Sequence, residues 1–117
     1  MLNMFAAGKL VSVRELSNTN GIKVYSITVG VKNTYKEKSG EFEGTYGRTF
    51  VNAKFFADTD NKIKFIENTV KPLVAGKEDK EFTPVGMEVQ FRNNNYGNAD
   101  EKVYSNEFVI QQFTPYL

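Results

Sequence analysis

The chain has 117 residues and a net charge of +1, with 40% hydrophobic and 25% charged residues, so one globular domain over 1–117 with a single core is expected. It has neither cysteine nor histidine. Disulfides, thiolate chemistry, cysteine or histidine metal sites and the commonest general base are therefore excluded, and the missing cysteines fit a cytoplasmic setting.

Charge is uneven along the chain. Residues 1–54 sum to +4 and residues 55–117 to −3, which points to one basic surface. The opening "MLNMFAAGKLV" lacks a charged leader and is broken by Asn3 and Lys9, so it reads as a first strand rather than a signal peptide. No stretch approaches the roughly 20 apolar residues of a membrane helix.

In chain order, strand one is expected from Asn3 to about Val13, with a bend or bulge at Gly8. "ELSNTNG" runs into Asn20-Gly21, a hairpin signal. Strand two, Ile22 to Lys32, places Tyr25, Ile27, Val29 and Val31 on one face, opposite Ser26, Thr28 and Gly30. Residues 33–47, with three glycines and no apolar period, read as a long loop.

Strand three, from near Thr49, alternates Val51, Ala53 and Phe55 against Phe50, Asn52, Lys54 and Phe56. The first set is an ordinary core face. The second sets two large rings beside an amide and an ammonium on the wetter side, where they cover a loop, meet another subunit or await a ligand.

Next, Ile63, Ile66, Val70 and Leu73 recur at helical spacing behind a cap at Asp58, Thr59 or Asp60, giving a short helix that ends near Pro72. A polar connection leads to strand four, with Met87, Val89 and Phe91 inward and Arg92, Asn94 and Tyr96 outward. The "GNADE" hairpin and strand five, "KVYSNEFVIQQF", complete the chain. The order β-β-β-α-β-β is that of an all-β OB-fold, a five-stranded, partly open barrel with one short α-helix between strands three and four.

The segments "GKL" (8–10), "NG" (20–21), "YSITVGV" (25–31), "TFVNAKFFA" (49–57) and "FRNNNYGNADEKVYSNEFVI" (91–110), in this order and spacing, resemble the bacterial and phage single-stranded DNA-binding proteins. The resemblance covers nearly the whole chain. It implies a sequence-tolerant single-stranded DNA-binding protein that protects unpaired DNA in replication and recombination, without catalysis, cofactor or metal.

By position it assigns base stacking to Tyr35, Phe50, Phe56 and Tyr96, with Tyr46 an alternate ring for Tyr35. Family members often carry tryptophan at such places, and this chain has none. Phosphate contacts are expected from Lys9, Lys32, Lys36, Arg48, Lys54 and Arg92, and a polar contact from Asn52. The pairing of rings with cations suits a partner in which every nucleotide offers a π-face and a phosphate.

Cellular members continue into a flexible tail with an acidic tip that recruits other proteins. This chain stops at "TPYL", so a phage-type protein without tail-mediated recruitment is expected. The resemblance also implies a homo-oligomer, a tetramer ahead of a dimer, with "MLNMF" compatible with a subunit contact. Two other readings stay open: an OB-fold interaction module of a replication assembly, and an RNA-binding OB protein.

Overall fold

A computed structural model describes residues 2–76, 80–93 and 106–116. Its five strands are β1 (Leu2–Thr19), β2 (Ile22–Lys36), β3 (Tyr46–Ala57), β4 (Val85–Asn93) and β5 (Asn106–Pro115). They form a closed barrel in the order β1-β2-β3-β5-β4. All neighbouring pairs are antiparallel except β3–β5, whose register among the described residues is the single parallel pair Lys54–Val109. The seam expected of a partly open barrel is thus bridged, among the described residues, at that pair.

Strand β1 is the long curved element. Its first residues pair with β4, from Leu2–Phe91 to Gly8–Val85, and its remainder pairs with β2, from Lys9–Gly30 to Thr19–Ile22. The change of partner falls at Gly8, as expected for a barrel corner. A Cβ there would lie 2.3 Å from the Gly30 carbonyl oxygen, so no larger residue fits unless the strands separate. Register shifts after Leu10 and Glu15 add curvature beyond the corner.

The β1–β2 turn forms at Asn20-Gly21 as expected. Both residues have positive φ, 55° and 77°, the primed geometry that matches strand twist. The β2–β3 ladder, by contrast, runs further than the sequence indicates. Strand β2 continues to Lys36 and β3 begins at Tyr46, so the expected loop 33–47 contracts to residues 37–45.

Local contacts explain the extension. Thr49 Oγ1 donates to Asn33 Oδ1 at 2.6 Å, and the ammoniums of Lys32 and Lys36 lie 4.8 and 5.5 Å from the Tyr46 ring centroid. The tip is hydrogen-bonded within itself: Glu37 N donates to Thr45 O, and Gly44 N to Glu37 O.

The expected helix forms in three short pieces. Thr59 caps α1 (Asp60–Lys64) by accepting from Lys62 N at 3.2 Å, a π-helical segment follows over Phe65–Val70, and a 3₁₀ turn over Lys71–Leu73 carries Pro72. Ile66 and Val70 are buried, with Ile63 and Leu73 packed beside them. The core they join is lined by Leu10, Tyr25, Ile27, Val29, Ala53, Met87, Val89, Ile110 and Phe113. Phe91 is half-buried, its ring 5.4 Å from that of Phe108. Among the described residues no helix is long and apolar enough to cross a membrane.

Candidate nucleic-acid interface

The alternation of β3 holds in the barrel. Ala53 is buried, with Val51 and Phe55 packed against the core, so Phe50, Asn52, Lys54 and Phe56 project outward. Their cross-strand partners on β2 are, in order, Gly30, Thr28, Ser26 and Val24. Three of these four are small, which leaves the β3 side chains standing above a shallow floor. Phe50 is the clearest case, at 50% exposed.

A Cβ at Gly30 would come within 3.2 Å of Phe50 Cε1 and 3.3 Å of Arg48 Cδ. The ring and the guanidinium stem therefore lie over bare backbone. Arg48 Nη1 also donates to the Gly30 carbonyl at 3.0 Å, which fixes the Arg48 stem beside the ring.

Arg48 and Lys9 meet at Phe82. The guanidinium is 5.1 Å and the ammonium 5.6 Å from that ring centroid. Phe82 comes from the connection read as polar, where no site residue is expected from the sequence. Its signal is slight: an aromatic residue two before Pro84 in an otherwise charged segment. Lys9, expected as a surface phosphate contact, is instead buried, at 2% exposed. It sits at the β1 corner opposite Gly30 and close to Phe82.

Tyr35, expected in a flexible loop, stands instead near the end of β2 and is 59% exposed. It lines an open hollow of about 480 Å³ with Lys36, Glu37, Lys38 and Ser39. Tyr46, the alternate ring, carries the ammoniums of Lys32 and Lys36 close to it. The β2–β3 hairpin thus presents two exposed tyrosines with two cations nearby. Tyr96 lies outside the described residues.

The other half of the face is more constrained than the sequence implies. Asn52 Nδ2 donates to Ser26 Oγ at 2.7 Å and to Thr28 Oγ1 at 2.8 Å, so both amide hydrogens already have acceptors. Phe56 is half-buried, with the Arg92 guanidinium 5.3 Å from its centroid.

Arg92 and Lys54 share one carboxylate. Lys54 Nζ is 2.8 Å from Glu107 Oε2, while Arg92 Nε and Nη2 both reach Glu107 Oε1 at 3.0 Å. Burial by itself would raise the Glu107 pKa, but the hydrogen bonds from Lys54 and Arg92 outweigh it and hold the acid below its ordinary value. Glu107 is also missing from the expected site. Register counting offered a signal, since it is the acid directly opposite Arg92 on the neighbouring strand.

No family model and no curated protein sequence matches the chain. Solved structures do match in fold. One is a mitochondrial single-stranded DNA-binding protein from S. cerevisiae, Rim1, at 14% identity and TM-score 0.55, covering 97% of this chain and 93% of that one. Another is the SSB of Plasmodium falciparum in complex with ssDNA, at 7% identity and TM-score 0.52, covering 98% of this chain and 94% of that one. With five strands in OB order, a helix between the third and fourth, and overlap along nearly the full length of both solved structures, the chain shares their OB-fold architecture.

Proposed function

We propose that the protein binds single-stranded DNA without strict sequence preference, and so protects unpaired strands in replication or recombination. The observation that carries this reading is the half-exposed Phe50 ring over Gly30, with Arg48 hydrogen-bonded to the backbone beside it. A ring half exposed on the outer face can offer that face to any base, and base–aromatic stacking contributes about 1–3 kcal/mol per base. Phosphate attraction supplies the rest.

In this reading Tyr35, Phe50 and Phe56 stack on bases, as does Tyr96 from beyond the described residues. Lys32, Lys36 and Arg48 meet the backbone. The chemistry is binding alone. The architecture shared with the yeast and Plasmodium proteins supports the same reading.

The protein also acts as a homo-oligomer, a tetramer ahead of a dimer. The exposed Met4, Phe5 and Tyr116, two of which are rings close over Gly86, support a covered surface there. Sedimentation of the free protein tests this, and a lone monomer refutes it.

The DNA reading is tested by titration with an oligo-dT strand and with a duplex of equal length, followed by tyrosine fluorescence. Preference for the single strand, quenching, and a salt slope near −0.7 per phosphate contact are expected. Equal or no binding to the two refutes it. A matched RNA competitor that displaces the dT strand completely turns the reading to RNA.

A further inference from the structure

The seam where the barrel closes carries an acid in an unexpected place. Glu107 of β5 stands between Lys54 of β3 and Arg92 of β4, bonded to both, at the only described pairing of β3 with β5. Its side chain is 10% exposed, against 38% for Lys54 and 48% for Arg92. The carboxylate is thus fixed from below while both cations face solvent, and Arg92 extends over the Phe56 ring.

These are two of the cations that a strand crossing from Phe50 to Phe56 would meet. Charge-assisted hydrogen bonds at such distances are strong, and the Arg92 fork is directed at a single oxygen. A phosphate arriving at this point competes with an anion already seated. Cations already neutralised in part by a fixed carboxylate also neutralise fewer phosphates, so they displace fewer of the counterions condensed on the strand, the release that drives phosphate binding.

We propose that Glu107 is a built-in competitor for nucleotide phosphate. Its carboxylate occupies the anion position between Lys54 and Arg92 and so lowers affinity for single strands at the Phe56 end of the face. The inference rests on the single-stranded DNA reading above. It assigns that reading an affinity-limiting residue and leaves Phe50, Arg48 and the hairpin cations as the stronger half of the site.

The test is Glu107→Gln in the full chain, with oligo-dT affinity measured across a salt series. The amide keeps the shape and removes the charge, raising the local charge from +1 to +2. Affinity at low salt should rise roughly three- to tenfold, and the salt slope should steepen by about 0.7–1.4, one or two added phosphate contacts. A folded variant with unchanged or weaker binding and the same slope overturns the inference, and makes Glu107 a residue that merely orients its partners.

Lys54→Met decides the matter independently if the first variant fails to fold. With Glu107 cancelling part of its charge, Lys54 should count for less than an unopposed hairpin cation, so this change should make the slope shallower by clearly less than Lys36→Met does. A loss of slope as large as that of Lys36→Met shows Lys54 in free contact with phosphate and overturns the proposal. Wild-type protein that binds no dT strand defeats the function reading itself. Wild-type binding without the expected variant effects defeats the Glu107 inference alone.

Discussion

The Phe50 ring lies over its cross-strand partner Gly30 so closely that a Cβ added to the glycine would be 3.2 Å from Cε1. A methyl group there can be admitted only if the ring or the Arg48 stem gives by a few tenths of an ångström. Gly30→Ala should therefore keep the barrel folded, because the affected groups lie on the outer face and the backbone needs no special conformation. Oligo-dT affinity should fall about two- to tenfold, a fraction of one stacking contact. Thermal melting and dT titration of the same sample check this, and full affinity in the variant places the ring's position outside the binding event.

Gly8 has a different kind of neighbour. The group a Cβ would meet, at 2.3 Å, is the Gly30 carbonyl oxygen rather than a flexible side chain. Gly8→Ala must push β1 from β2 at the barrel corner. A loss of about 1–3 kcal/mol is expected, as for other overpacked sites, measured by denaturant unfolding.

Tyr25 links the barrel wall to the helical segment. Its hydroxyl, fully enclosed, donates to Glu67 Oε1 at 2.9 Å, and Lys71 holds the other carboxylate oxygen at 2.7 Å. Burial first, and then the bond to Glu67, raise the phenol from 10.0 to about 12. Because the folded value exceeds the unfolded one, this stabilisation is complete below pH 10 and disappears as pH rises towards 12. Tyr25→Phe should lower stability at neutral pH by about 1.5 kcal/mol, the low end for a bond to a charged group. The gap from wild type should narrow between pH 10 and 12 in unfolding experiments.

The parts of this protein that local pattern governs were legible in its sequence. Alternation separated buried Ala53 from exposed Phe50, Asn20-Gly21 marked the turn that forms, and the spacing of Ile66 and Val70 marked the face that packs on the barrel. What escaped depends on contacts between distant segments. Strand β2 reaches Lys36 because Asn33, Lys32 and Lys36 find partners on β3. Lys9 becomes interior, and Phe82 meets it, through the path of a connection that has no period of its own. Glu107 looks like an ordinary outward acid until three strands bring Lys54 and Arg92 around it. Tyr96 lies outside the described residues, and its position in the sequence is its one support.

The most direct test is the affinity of Phe50→Ala for oligo-dT beside wild type at one salt concentration, with melting curves for both. A ring already half in water should leave the melting temperature nearly unchanged, while binding weakens by about 1–3 kcal/mol. Undiminished binding, or a variant that no longer folds, would contradict an account in which that ring is kept for a base.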